Sequence, residues 1–145
     1  MTPLLIDVPL RWSDLDAYGH VNNATFLTLL EEARITALNT WFGDHEMLRT
    51  GILVVRHEIE YTAQLSYESG PVVVELWISD ITASTFDVAY VVRDRSGSGR
   101  RYVVADTTLV AFDTTAQRPR RLTVQEPTAL TPYLGERAPL RRRTS

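Results

Sequence analysis

The distribution of apolar residues along the chain changes twice and predicts a strand, a helix and then a run of strands. Apolar and polar residues alternate over residues 3–12, which predicts a first β-strand. Helical spacing follows in residues 24–41, and the broad apolar stripe there predicts a long, largely buried helix that ends near Gly43. The stripe consists of Phe26, Leu29, Leu30, Ala33, Ala37 and Trp41. Extended patterns return in four later segments, residues 53–61, 71–81, 84–94 and 100–113.

The first of these later segments has the clearest alternation. One face is mainly apolar and consists of Leu53, Val55, His57, Ile59 and Tyr61. The other face is charged and consists of Arg56, Glu58 and Glu60. We expect the apolar face to point into the core. A polar link follows at residues 62–70, and polar turns at 82–83 and 96–99 separate the last three strands.

One long helix with an N-terminal strand before it and a four-stranded run after it indicates an α+β fold, with the helix packed on an antiparallel sheet. The last three strands carry apolar residues on both faces, and we assign Val91, Val103, Leu109 and Ala111 to the second face. A single helix can cover only one face. We therefore expect pairing of subunits to cover part of the other.

Length and composition restrict the classes of protein. A chain of 145 residues is one domain, residues 1–145, in which residues 123–145 read as an irregular extension. Residues 127–133 could form a short helix, and residues 137–145 read as a solvated, mobile tail. The net charge of −3 argues against a nucleic-acid partner, and no apolar run is long enough for a membrane span.

Several kinds of catalysis are excluded by missing residue types. The chain has no cysteine, so it has no disulfide, thiol nucleophile or thiolate metal site. All fifteen basic residues are arginines, which excludes a lysine Schiff base. The three histidines lack the spacing of metal ligands, so we predict neither a metal nor a cofactor. No secretory signal pattern is visible, and we expect a cytoplasmic protein.

The densest polar chemistry lies directly before the helix. Residues 13–23 contain two carboxylates, an imidazole, two amides and a glycine. Asn23 is a good N-cap residue for the helix. The segment therefore places titratable groups beside the N–H-rich end of a helix, an arrangement that suits negative charge developing on a carbonyl oxygen.

The residues of this segment form a recognisable string: Asp14-x-Asp16-x-x-Gly19-His20-Val21-Asn22-Asn23, followed by Phe26 and Glu31-x-x-Arg34. The string resembles the signature of the hot-dog-fold acyl-CoA thioesterases of the 4-hydroxybenzoyl-CoA thioesterase type, and the likeness extends over roughly residues 9–122. The resemblance implies a hot-dog fold, in which an antiparallel sheet wraps one long central helix. It also implies hydrolysis of acyl-CoA to a free acid and coenzyme A, without a cofactor, in a homodimer or homotetramer.

The resemblance also assigns roles to single residues. Asp16 would be the nucleophile or the general base, and the backbone N–H of Asn23 would polarise the thioester carbonyl. From its position four residues after Asp16, His20 could orient water or the carboxylate, take part in proton transfer near neutral pH, or merely satisfy loop carbonyls, while Asp14 would hold the loop. The remaining residues expected to bind substrate are Gly19, Val21, Asn22 and Phe26, together with Arg118, Arg120 and Arg121 at the phosphates of coenzyme A.

Simpler interpretations stand beside these assignments. Asp14 and Asp16 could merely accept loop N–H groups, and the arginine segment could be a solvated charge run. His57 fits a core histidine with a satisfied hydrogen bond, and Glu31 fits an ion pair with Arg34. Three other functions also remain open: release of acyl chains from a carrier protein, a hot-dog hydratase, whose usual local pattern fits less well, and a non-catalytic acyl-CoA-binding module.

Overall fold

The computed structural model describes residues 2–43, 51–66, 71–95 and 100–141. The strands are β1 Leu4–Val8, β2 Ile52–Tyr61, β3 Val72–Ile81, β4 Thr85–Asp94, β5 Arg101–Asp113 and β6 Arg118–Pro119. The helices are α1 Asn23–Phe42 and α2 Gln125–Leu130, with short 3₁₀ turns at Trp12–Asp14 and Thr131–Tyr133. The predicted turn at residues 96–99 lies outside the described residues.

The strands form one antiparallel sheet in the order β1-β3-β4-β5-β2, with β6 added to the end of β5. The predicted α+β architecture is confirmed. Helix α1 extends one residue further at each end than predicted, and Gly43 ends it with a positive φ and an N–H donated to the carbonyl of Asn39. The first strand is shorter than predicted because its pairing with β3 stops at Val8.

The main core lies between α1 and the inner face of the sheet. Its largest fully buried side chains are Phe26, Leu29, Leu30, Phe42, Leu65, Leu76, Ile78, Phe86, Tyr90, Leu109 and Leu130. Val103, Leu109 and Ala111 belong to this core, so their assignment to the second face is wrong. Both faces of β5 are apolar, and a period of two separates two faces without telling which one meets the helix.

The second face of the sheet is covered by the chain's own C-terminal segment, residues 134–141. A small cluster of Trp77, Ala89, Val91 and Val104 packs there against Ala138. Gly135 donates its N–H to the carbonyl of Ile78 at 2.7 Å, and the Trp77 indole donates to the carbonyl of Glu136 at 2.6 Å. The prediction of a solvated tail is therefore wrong for Ala138, which is buried, whereas Arg137 and Arg141 are exposed as predicted. Val91 does lie on the second face, as expected.

Strand β2 forms an edge of the sheet and is less covered than predicted. The described residues pair it only with β5, and Val55 is the extra residue in a bulge between Val54 and Arg56. Leu53 and Val55 are 45% and 58% exposed, so the expectation that they face the core is wrong for this chain. The reason is their position on the edge strand, beyond the cover of α1.

Candidate functional site

Asp14 shapes the segment between β1 and α1 from inside the protein. Its buried carboxylate accepts the backbone N–H of Arg11 at 2.7 Å and lies 3.3 Å from the Arg11 guanidinium. Its carbonyl accepts the N–H of Asn22 at 3.0 Å. These bonds tie the start of the loop to its end, which is the loop-holding role expected of Asp14.

Asp16 uses one carboxylate oxygen to close the loop on itself. Oδ1 accepts the backbone N–H groups of Tyr18 at 2.8 Å and His20 at 3.2 Å. Gly19 has a φ of 77°, the left-handed conformation that glycine adopts without strain, and so allows the tight turn between them. Oδ2 has no protein partner among the described residues. One oxygen is therefore structural and the other is available.

The start of α1 differs by one residue from the prediction. Asn22, rather than Asn23, is the N-cap, because its side-chain oxygen accepts the N–H of Ala24 at 2.9 Å. Asn23 is the first residue of the helix. Two successive asparagines suit the cap equally well, so the choice between them depends on the path of the loop.

This shift leaves the N–H of Asn23 available. The preceding amides are used, since Val21 donates to the carbonyl of Leu65 at 2.7 Å and Asn22 donates to that of Asp14. Within the described parts of the chain, the Asn23 N–H has no acceptor. An uncompensated N–H at the positive end of a 20-residue helix is suited to an oxyanion.

The end of β2 and the residues after it supply a second wall. The Tyr61 hydroxyl donates to the carbonyl of Asn23 at 2.9 Å, and its ring lies 5.9 Å from that of Phe26. The Val21–Leu65 hydrogen bond and a β-bridge between His20 and Ser66 hold this wall against the loop. The sequence alone does not predict Tyr61, Ala63, Gln64 or Leu65 as site residues. The only signal was a polar link directly after a strand.

These elements enclose a cavity of about 310 Å³. Its lining consists of Asp16, His20, Val21, Asn22, Asn23 and Phe26 from the loop and helix, with Ala63, Gln64 and Leu65 from the second wall. Six residues predicted for the site therefore share one cavity. Gly19 belongs to the same loop without lining it. The cavity offers a carboxylate, an imidazole and a helix N-terminus to a bound carbonyl group.

The predicted phosphate-binding arginines lie elsewhere. Tyr61 is paired with Val103 near the start of β5, whereas Arg118 and its neighbour are paired with Asp113 and Phe112 at the far end of that strand. At roughly 3.3 Å per residue, the two ends are about 30 Å apart. The arginine segment is therefore remote from the loop of its own subunit.

Arg120 is also engaged in the fold. Its guanidinium makes two 2.9 Å contacts with the buried carboxylate of Glu126. Burial raises the pKa of Glu126, but hydrogen bonds from Arg120 and Thr123 together with the charge of Arg120 outweigh burial, so the pKa is lowered. Arg120 thus has a structural contact, while Arg118 and Arg121 are exposed.

Of the simpler interpretations, the Glu31–Arg34 ion pair agrees with the structure, whereas that of His57 holds for its hydrogen bond and is wrong for its place in the core. Glu31 and Arg34 form the expected ion pair at 3.9 Å, and the buried Arg34 also donates to the Tyr90 hydroxyl at 3.2 Å. Nδ1 of His57 lies 2.8 Å from the Thr107 hydroxyl, although His57 is exposed rather than buried. Among the described side chains, no group of three or more His, Cys, Asp or Glu could hold a metal ion. No helix in the described ranges is long and apolar enough to cross a membrane.

The architecture, one long helix packed on an antiparallel sheet, fits the hot-dog fold. The profile of the Thioesterase-like superfamily matches residues 10–137, so the chain belongs to that superfamily. It is a thioester hydrolase. No protein of curated function matches the sequence significantly.

Solved structures share the fold over nearly the whole chain. A predicted thioesterase from Bacillus stearothermophilus superposes with a TM-score of 0.82 at 20% identity, covering 93% of this chain and 98% of that one. A Thermus thermophilus thioesterase complexed with coenzyme A and zinc gives 0.76 at 25% identity, with 89% and 92% covered. A 1,4-dihydroxy-2-naphthoyl-CoA thioesterase from Synechocystis gives 0.75 at 19% identity, with 89% and 96% covered.

Proposed function

We propose that this protein hydrolyses an acyl-CoA thioester to a free acid and coenzyme A, using Asp16 and the start of α1. The observation that carries the proposal is that Asp16, which has an available carboxylate oxygen, and Asn23, which has an available N–H, line one cavity. Coenzyme A as the thiol carrier is supported by its presence in the Thermus thermophilus relative. The 4-hydroxybenzoyl-CoA type of the sequence resemblance remains part of this proposal.

In the proposed reaction, the thioester carbonyl oxygen accepts the N–H of Asn23, where the helix dipole stabilises the developing negative charge. Oδ2 of Asp16 either attacks the carbonyl carbon or removes a proton from the attacking water. A carbon–oxygen bond forms, the carbon–sulfur bond breaks, and the thiolate receives a proton originating from water. When Asp16 attacks, water then hydrolyses the acyl-enzyme anhydride and regenerates the Asp16 carboxylate, so both roles of Asp16 produce the same acid and thiol.

The other residues of the cavity have supporting roles in this proposal. The His20 imidazole orients the water or the carboxylate. Val21 and Phe26 are buried and provide apolar contacts for the acyl group, while Gly19 and Asn22 shape the loop against the pantetheine arm. None of these roles needs a cofactor.

We further propose a homodimer formed through β2. The edge strand exposes Leu53, Val54 and Val55, and two copies related by a two-fold axis would pair antiparallel along it. That pairing would bring the start of one β2 beside the end of the other. Arg118 and Arg121 of the partner subunit would then approach the cavity, where they could bind phosphates. A tetramer remains an alternative.

The test is a hydrolysis screen over short, medium, long and aromatic acyl-CoAs, with wild type and Asp16→Asn measured together. We expect turnover of at least one substrate class by the wild type and its loss in the variant. Parallel assays on the same acyl groups attached to a carrier protein separate the two thiol carriers. Tight acyl-CoA binding without turnover would contradict the proposal and favour a binding module.

A single-turnover reaction in ¹⁸O water distinguishes the two roles of Asp16. Label that enters the Asp16 carboxylate requires an acyl-enzyme anhydride, and therefore a nucleophile. Label that appears only in the released acid is expected for a general base, and also for an anhydride that water opens at the acyl carbon. Mass spectrometry of Asp16 after a rapid acid quench separates these two cases, because only the second passes through an acylated Asp16.

A further inference from the structure

The peptide group between Asn23 and Ala24 is held at both of its polar atoms by side chains. Its carbonyl oxygen accepts the Tyr61 hydroxyl at 2.9 Å, and its N–H donates to the side-chain oxygen of Asn22 at 2.9 Å. The Asn22 bond lies within the helix start and is ordinary capping. The Tyr61 bond is different, because it comes from a residue 38 positions away, on the sheet.

Contacts with the sheet hold the backbone of Tyr61 in position. Tyr61 is the last residue of β2, where it pairs with Val103. The next residue, Thr62, donates its N–H to the carbonyl of Tyr102 at 3.0 Å and its hydroxyl to that of Arg101 at 2.6 Å. The Tyr61 ring packs on Phe26, one helical turn into α1. Strand end and helix start are therefore joined by one hydrogen bond and one ring contact.

Hydrogen bonds inside the helix orient the first turn relative to the helix alone. The carbonyl of Asn22, for example, accepts the N–H of Thr25 at 3.0 Å. They do not fix that turn relative to the sheet or to the second wall of the cavity. The Val21–Leu65 hydrogen bond links the preceding loop to the second wall, and the Tyr61 hydroxyl links the first turn of the helix, next to the available N–H of Asn23. Burial raises the pKa of Tyr61, so its hydroxyl remains a donor at neutral pH.

We propose that Tyr61 is a positioning residue for the thioester carbonyl, acting through Asn23. The carbonyl and the N–H of Asn23 belong to the two peptide groups on either side of its Cα. By holding the carbonyl oxygen, Tyr61 restricts rotation about that Cα and so limits the directions in which the Asn23 N–H can point. Its hydroxyl does not touch the reacting atoms. The inference rests on the proposed function, because it presupposes that the Asn23 N–H binds the substrate carbonyl.

The test compares Tyr61→Phe with Tyr133→Phe in the full-length protein. Tyr61→Phe removes the hydroxyl and keeps the ring on Phe26. Tyr133→Phe is the matched control, since the Tyr133 ring packs on Trp41 near the other end of α1 and its hydroxyl has no partner among the described residues. The measurements are kcat, KM, the thermal midpoint, and the infrared carbonyl stretch of a bound ketone analogue with CH₂ in place of sulfur.

We expect Tyr61→Phe to lower kcat roughly five- to tenfold, the effect of one intramolecular hydrogen bond, with KM within about twofold. The carbonyl stretch should move toward its value in water, and the thermal midpoint should fall by no more than a few degrees below that of Tyr133→Phe, since only Tyr61→Phe removes a hydrogen bond. A kcat within twofold of the control would overturn the inference. A lower kcat with an unchanged carbonyl stretch would also overturn it, because the loss would then not involve the carbonyl.

The outcome is separable from that of the proposed function. A wild type without hydrolysis, or an active Asp16→Asn variant, contradicts the function itself and removes the basis of the inference. In the other case, the wild type hydrolyses the substrate in an Asp16-dependent way while Tyr61→Phe has the same kcat as Tyr133→Phe. That result contradicts only the role of Tyr61.

Discussion

Asp16 and His20 are joined by two hydrogen bonds that run in opposite directions. The N–H of Asp16 donates to the carbonyl of His20 at 2.8 Å, and the N–H of His20 donates to Oδ1 of Asp16 at 3.2 Å. The loop that carries the cavity is therefore closed by the same side chain whose other oxygen is available. An asparagine can accept the two N–H groups, but it cannot act as a base or a nucleophile.

Because one oxygen of Asp16 closes the loop and the other is available for chemistry, two variants of Asp16 should behave differently. Asp16→Asn should lower kcat by at least about a hundredfold while leaving the thermal midpoint nearly unchanged, because general-base or nucleophilic catalysis is lost and the loop is kept. Asp16→Ala should lose activity and also stability, since it removes the acceptor of two N–H groups. Acyl-CoA kinetics measure the activity of the two variants, and thermal unfolding measures their stability. Substantial activity in Asp16→Asn would show that the charge is not needed.

Asp14 should affect stability more than chemistry. Asp14→Ala removes the buried acceptor of the Arg11 N–H and should lower the free energy of unfolding by about 1–2 kcal/mol. Asp14→Asn keeps that acceptor and serves as the control, with a smaller loss. Urea unfolding monitored by tryptophan fluorescence gives both values. If Asp14→Asn abolished turnover while folding normally, the purely loop-holding role would be wrong.

The Arg120–Glu126 pair should stabilise the end of the chain against β6. Glu126→Gln leaves the partly buried Arg120 without its charged partner and should cost about 3 kcal/mol at pH 7. The pKa of Glu126 is lowered from its ordinary 4.5, so the charged form stabilises the fold above that pH and its contribution is lost as pH falls further. The difference between wild type and variant should therefore shrink below about pH 4.

Denaturant unfolding at several pH values checks this expectation. Asp7→Asn is a suitable control, because the Asp7–Arg95 pair is exposed on both sides and should contribute little. If Glu126→Gln lowered the free energy of unfolding no more than Asp7→Asn does, a structural role for Arg120 would be contradicted.

Asp106 should make the protein less stable as pH rises. It is only 4% exposed on the second face of the sheet, and burial raises its pKa to about 6. The Ser79 hydrogen bond acts in the opposite direction, and the charge of Asp87 adds a smaller rise. The folded state therefore holds a proton that the unfolded chain releases near pH 4, and this stabilisation is lost as pH rises through about 6.

Asp106→Asn should remove this dependence. The variant should match the wild type near pH 4 and exceed it at pH 8 by at most about 3 kcal/mol, the value of a shift of about two pKa units. Stability measured from pH 4 to 8 tests the sign as well as the size. A wild type whose stability rises over that range, with no gain from the substitution, would be inconsistent with a buried proton on Asp106.

The proposed dimer can be tested at the bulge of β2. Val55→Asp places a charge on the most exposed apolar side chain of the edge strand and should convert the dimer to a monomer, with loss of turnover. Val124→Asp is the control, because Val124 is 90% exposed and lies just before α2. Light scattering gives the mass of each. A wild type that is monomeric at micromolar concentration would contradict the proposal.

The sequence determined the elements of this protein and the location of its polar loop. Helical spacing predicted α1 to within one residue at each end, because a buried helix must repeat its apolar residues every three or four positions. Gly19 and the carboxylates of the loop were also identifiable, since positive φ angles and turns restrict the residue types that can occupy them.

Which of these elements meet depends on the tertiary structure. The pattern of β5 could not tell which of its two apolar faces receives α1, and composition could not show that residues 134–141 cover the other face. The Tyr61–Asn23 hydrogen bond and the placement of Arg118 far from Asp16 arise from pairing between distant segments. The spacing of apolar residues along one helix or strand indicates which of its residues are buried. It does not indicate which residue of another element each one contacts, because that depends on the order of the strands in the sheet.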